Sequence, residues 1–93
     1  MKCKRKGSRA ERRCMGILEA AGYVCTRAGG SLGVFDVIAL GPHDVRCIQV
    51  KAGGKYLSGL EREVIQGLKV PGNVSRECWR FPDRAREPLI EVL

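Results

Sequence analysis

Two Val- and Ile-rich segments, residues 34–40 and 45–51, flank the four residues Gly41-Pro42-His43-Asp44, and this arrangement constrains the fold more than any other. β-Branched side chains suit a pleated, half-buried surface, and glycine, proline and aspartate supply turn conformations, so the stretch reads as a β-hairpin. With a symmetric loop, Leu40 lies opposite Val45, Ile38 opposite Cys47, Asp36 opposite Gln49 and Val34 opposite Lys51. Directly opposed residues share a face of a sheet, as do residues two apart on one strand. Asp36, Gln49 and Lys51 then emerge side by side, while Phe35, Val37, Ala39, Ile48 and Val50 make the other face continuously apolar. Buried polar groups cost free energy unless partnered, so three of them at one end of an apolar hairpin need a reason. An Asp36–Lys51 ion pair is one such reason; a functional site is the other.

The flanking segments place the hairpin in a larger fold. Ser8 and Glu11 have the spacing of a capping box, and Ala10, Cys14, Ile17, Leu18 and Ala21 follow the stripe of an amphipathic helix, with Gly22 placed to end it. A short strand is expected over residues 23–27, then a glycine-rich loop, Ala28-Gly29-Gly30-Ser31-Leu32-Gly33. After Gly53-Gly54, a second capping box (Ser58 with Glu61) opens a helix whose stripe is Leu60, Val64, Ile65 and Leu68. Val70-Pro71-Gly72-Asn73 breaks that helix, residues 74–81 read as a strand, and residues 88–93 as an edge strand or dimer contact. The order α-β-β-β-α-β(-β) predicts an α/β fold with a mixed β-sheet flanked by helices.

Length and charge bound the function. Ninety-three residues are expected to form a single domain (1–93) with a basic N-terminal arm (1–7). Lys2, Lys4, Arg5, Lys6, Arg9, Arg12 and Arg13, against Glu11 alone, supply +6 of the formal net charge of +7. Cations concentrated on a near-neutral body suit a polyanion such as DNA, where each neutralised phosphate releases counterions; a solvated tail is the plainer alternative. Five scattered cysteines, with no short C-x2-C pair and a single histidine (His43), argue against a disulfide scaffold or a zinc domain. No apolar run approaches the roughly 18 residues of a membrane span, and the basic start lacks the apolar core of a signal peptide, so a cytoplasmic protein with no membrane partner is expected.

Gly33-Val34-Phe35-Asp36, a hydrophobic strand, a turn and Ile48-Gln49-Val50-Lys51 resemble the signature of the PD-(D/E)XK nucleases. Upstream, the run from Arg5 through Arg12 opening a helix, and Arg27-Ala28-Gly29-Gly30-Ser31 before the aspartate strand, are similar to archaeal-type Holliday junction resolvases, with the likeness running from about Lys4 to Ala52. The resemblance implies a restriction-endonuclease-like fold and a metal-dependent DNA endonuclease resolving four-way junctions in recombination and repair. It implies Mg²⁺, with Mn²⁺ as substitute, held by Glu11, Asp36 and Gln49, and Lys51 acting on the attacking water or the phosphate. Ser31 matches a loop position that helps form the resolvase site, and Lys4, Arg5, Lys6, Arg9, Arg12, Arg27 and Lys55 are the expected DNA contacts. Two symmetric cuts call for two active sites, so a homodimer follows, and a phage or archaeal source fits the size. Glu11 could equally serve only as the partner of Ser8, and Ser31 could be an ordinary loop serine.

Two positions depart from the signature. Phe35 stands where the family name has proline, and Gln49 replaces the usual second carboxylate, bringing an oxygen ligand without charge. The alternatives are therefore a VRR-NUC-like nuclease, suggested by Gly53-Gly54-Lys55 before a helix, and a non-catalytic nucleic-acid-binding module that kept the fold. A small interaction protein using the apolar C-terminal segment is a third.

Overall fold

The computed structural model describes the backbone of residues 2–28 and 33–93, and side chains within that span from Ser8 onward. Its elements are α1 (Lys2–Ala20), β1 (Val24–Arg27), β2 (Val37–Leu40), β3 (Val45–Ala52), α2 (Gly59–Gly67), β4 (Val74–Phe81) and β5 (Leu89–Val92). The strands form one sheet in the order β1-β2-β3-β4-β5. β1/β2, β2/β3 and β4/β5 are antiparallel, and β3/β4 are parallel. A parallel pair needs a crossover, and α2 lies in that connection. The expected α/β mixed sheet is the observed one.

The hairpin register holds from Leu40↔Val45 to Val37↔Ile48 and then stops. β2 begins at Val37, so Val34 does not pair with Lys51 as the symmetric hairpin predicted. The Asp36 N–H donates to the Ile48 carbonyl (2.8 Å), one residue out of step with the ladder below it. The Asp36 carbonyl meanwhile accepts from Ala28 N–H (2.9 Å). β2 thus parts from β3 at the residue that the sequence singled out.

α1 starts at Lys2, six residues before the expected N-cap, so residues 2–7 of the basic arm continue the helix, in keeping with the good helix propensity of Lys and Arg. Ser8 and Glu11 form no capping box; both bond across to Arg27 on β1. The other end is as predicted. Gly22 has φ +98°, Gly22 N–H donates to Glu19 O, and Tyr23 N–H donates to Leu18 O, the paired bonds of a Schellman cap.

One side of α1 (Ala10, Cys14, Leu18) packs with Val37, Ala39, Ile48, Trp79 and Phe81 into the core, and Val50 lies half-buried against it. Val37, Ala39, Ile48 and Val50 share this face as expected; Phe35 is buried but is not part of this cluster. At the far end of β3 and β4 this core encloses a polar knot. The Glu77 carboxylate, 2 % exposed, accepts from Arg46 through both oxygens and from Ser75 Oγ and Trp79 Nε1.

α2 sits on the opposite face, opened by Ser58 and Glu61 in the predicted capping box. Its stripe is corrected: only Ile65 is buried, while Leu60, Val64 and Leu68 are exposed. The helix is too short to turn four apolar residues onto one sheet, and polar ties hold it instead. Arg76 Nη1 donates to the Gln66 and Leu68 carbonyls (2.9 and 2.6 Å), Arg62 pairs with Glu91, and Lys51 pairs with Glu61.

Candidate active site

Where β2 leaves β3, the Asp36 carboxylate accepts the Val50 N–H through Oδ2 at 2.8 Å. The side chain is thereby fixed at the mouth of the gap between the strands. Burial pushes the Asp36 carboxyl above the ordinary aspartate range, Glu11 and Glu61 add to the shift, and the Val50 N–H and Lys51 oppose it. The site therefore sits between a carboxylate on α1, a carboxylate on α2 and the Lys51 ammonium.

Gln49 and Lys51 lie two apart on β3 and so share one face, with Cys78 and Arg80 beside them on β4. Gln49 is buried, and its Oε1 has no hydrogen-bond partner among the described residues. A buried amide oxygen without a partner costs about 1–3 kcal/mol. Gln49 therefore presents an oxygen suited to an incoming donor or a cation. Lys51 Nζ is fixed 3.0 Å from Glu61 Oε2, while Glu61 Oε1 accepts from Ser58 N–H. The Ser58 N–H, and after it the Lys51 ammonium, hold the Glu61 carboxyl below its usual range. One carboxylate thus caps α2 and anchors the lysine.

Glu11 reaches the region from α1 but is engaged: its Oε1 accepts from Arg27 Nη2 (2.7 Å) and Nε (3.0 Å). Arg27 also donates to Ser8 Oγ (3.1 Å). Among the described residues no three His, Cys, Asp or Glu side chains form a metal-binding group. The donor set at hand is the Asp36 carboxylate and the free Gln49 oxygen, with Glu11 and Glu61 near enough to act electrostatically on Asp36.

Of the other expected contacts, Arg9, Arg12 and Lys55 are exposed, and Arg27 is half-exposed in its pair with Glu11. Ser31 lies outside the described residues, as do the side chains of Lys4, Arg5 and Lys6. His43 is exposed, and Cys14, Cys25, Cys47 and Cys78 are free thiols, with Cys14 pushed up to about 12 by burial and so inert. Sequence reasoning missed two groups. Glu61 was visible only as a cap, because nothing in its spacing links it to Lys51. Arg80, directly across the parallel ladder from Lys51, carries its guanidinium 4.1 Å from the exposed Tyr56 ring. Only the parallel β3/β4 pairing brings that cation beside the lysine.

An α-β-β-β-α-β-β chain whose mixed sheet opens at Asp36 beside Gln49-Val50-Lys51 defines a restriction-endonuclease-like fold of the PD-(D/E)XK superfamily. Comparison with known families narrows the class. The model of the archaeal Holliday junction resolvase (Hjc) matches residues 2–74, and the chain belongs to that family. Among solved structures, Hjc of Archaeoglobus fulgidus, a Holliday junction resolvase from an archaeal hyperthermophile, is similar in fold, with a TM-score of 0.71 and 23% identity over 95% of this chain and 71% of that one. No curated protein sequence matches the chain. No helix among the described residues is long and apolar enough to cross a membrane.

Proposed function

We propose that this chain hydrolyses phosphodiester bonds of DNA at four-way junctions, with Asp36, Gln49 and Lys51 as the reacting site. The observation that carries the reading is the buried Gln49 Oε1, without a hydrogen-bond partner among the described residues, beside a fixed carboxylate and a fixed ammonium, in a chain of the resolvase family. Neutral and anionic oxygens in this combination suit a hard divalent cation such as Mg²⁺, with Mn²⁺ as substitute. Asp36 and Gln49 would hold it, and Glu11 would add charge if Arg27 turned to DNA. When bound, such a cation supplies Lewis acidity toward the phosphate and a lowered pKa for the attacking water.

The remaining chemistry belongs to the chain. Lys51, held by Glu61, directs its ammonium at charge developing on the phosphate, which is effective because the position is fixed before substrate arrives. Arg9, Arg12, Arg27 and Lys55, all exposed, would supply cations for the DNA backbone, and the sequence adds Lys4, Arg5, Lys6 and Ser31 to the expected contacts. Paired cuts across a junction need two sites, and a homodimer formed through the exposed Leu60, Val64 and Leu68 stripe would supply them. The family match favours this reading over a VRR-NUC-like nuclease.

One observation favours a second reading, a DNA-binding module without catalysis. Gln49 brings no charge, and Glu11 and Lys51 are both already paired. Cleavage of a four-way junction and a matched linear duplex with Mg²⁺, by wild type, Asp36→Ala and Gln49→Glu, separates the readings. Junction-selective cutting lost in Asp36→Ala supports the resolvase. Equal cutting of both substrates removes junction selectivity, and salt-sensitive binding with no cutting at any enzyme concentration favours the module.

A further inference from the structure

On the flank of α1 away from Glu11, a pocket of about 180 Å³ opens between that helix and the segment after β4, lined by Arg9, Arg13, Phe81, Asp83 and Arg84 among others. Its construction divides the three arginines. Arg13 is spent on structure: Nη2 donates to the Arg86 carbonyl (2.9 Å), and the guanidinium lies 5.0 Å from the centre of the Phe81 ring. That arginine ties the segment after β4 to the helix. A turn closed by Ala85 N–H donating to the Pro82 carbonyl (3.2 Å) then carries Arg84, whose φ of +66° lies in the region that favours glycine. Arg84 and Arg9 are exposed and have no hydrogen-bond or ion-pair partner among the described residues. Three cations around one carboxylate leave the pocket positive.

Its position links it to the proposed site. Phe81, on the pocket wall, pairs with Ala52, the residue after Lys51, so the pocket lies at the same end of the sheet as Lys51, on the α1 face while Lys51 faces α2. DNA laid against this end of the sheet would meet Lys51 on one face and the pocket on the other.

We infer that Arg9 and Arg84 form a phosphate subsite for the DNA backbone, held open by the Arg13 strut. The inference rests on the nuclease reading only for which strand it grips. The ligand chemistry is a phosphate oxyanion, and its source is the polymer and not free phosphate.

The test measures DNA affinity in EDTA across a series of NaCl concentrations for wild type, Arg9→Ala, Arg84→Ala, the double variant and Lys69→Ala, an exposed cation beyond α2. Each lost phosphate contact should lower the slope of log K against log [salt] by about 0.9 on duplex arms. The subsite predicts a slope reduced by about one for each single variant and about two for the double, with thermal midpoints unchanged. An unchanged slope overturns it, and so does an equal reduction with Lys69→Ala, which would assign the effect to net charge. Titration with inorganic phosphate forms a separate arm: phosphate binding at Arg9 and Arg84 with an unchanged DNA slope would mark an isolated anion site and overturn the assignment to DNA. A reduced slope in a wild-type background that never cuts leaves the subsite standing while the nuclease reading fails.

Discussion

Asp36 must be ionised to ligate a cation, in a place where burial favours its neutral form. Its folded pKa lies above the unfolded value, so the cost is absent below the ordinary carboxylate range. It builds as pH rises through the raised value and is fully in place above it. Asp36→Asn keeps an acceptor for Val50 N–H and removes the charge. It should stabilise the metal-free protein at neutral pH by about 0.5–1 kcal/mol while abolishing cleavage, which paired denaturant melts and junction assays would check. Lower stability in that variant would show that the carboxylate serves the fold.

Glu77 has the opposite sign. Burial pushes its carboxyl up, but Arg46, Ser75 and Trp79 outweigh that and leave it below the usual glutamate range. Its stabilising contribution is present above the unfolded pKa and lost as pH falls through the depressed one. Glu77→Ala strands a part-buried guanidinium and a buried indole N–H and should cost about 3–5 kcal/mol by equilibrium unfolding. A loss under about 1 kcal/mol would mean that water replaces the carboxylate. Gly41 is a smaller case: a Cβ there would lie 2.7 Å from Asp44 Oδ1 and 2.8 Å from Tyr23 Cε2, so the turn admits no side chain without rearranging their hydrogen bond.

Among the elements, α2 is the outlier. With Ile65 alone buried, it is attached by Lys51–Glu61, Arg62–Glu91 and the Arg76 guanidinium capping its last carbonyls. Elements with few buried apolar contacts open most readily. Amide exchange should be fastest in α2 among the helices and strands facing the sheet core, and Arg76→Ala should speed it further. Its capping box was legible because two residues three apart suffice to specify it. Its packing was not, since a stripe of Leu60, Val64, Ile65 and Leu68 says that an apolar face exists but not what covers it. If a second copy covers it, Leu60→Lys with Val64→Lys should convert a dimer to a folded monomer in light scattering. A monomeric wild type would remove the two-site argument.

For the whole molecule, the basic half of α1 and the sheet end bearing Lys51 set the long-range behaviour. Most of the net charge lies in the first thirteen residues, so DNA affinity should fall steeply with salt. Replacing Arg9 and Arg12 together with Gln should weaken duplex and junction binding by similar factors and flatten the salt slope, because phosphate contacts position DNA without reading its shape. Loss confined to junctions would place shape recognition on α1 itself.

Local chemistry by itself determined the hairpin, its loop register, the Gly22 cap, the Ser58–Glu61 box and the pairing of polar and apolar faces on β3. Each depends on residues within a few positions of one another, where periodicity and turn propensity dominate. Tertiary structure decided what neighbours in space do to that pattern. Arg27 drew Ser8 and Glu11 away from a cap and let α1 run back to Lys2; the parting of β2 and β3 turned Asp36 from a ladder residue into an acceptor for Val50; and the parallel pairing of β3 with β4 set Arg80 beside Lys51. Those outcomes rest on contacts between residues far apart in the chain, whose energies are as large as the local preferences they override and leave no spacing in the sequence to read.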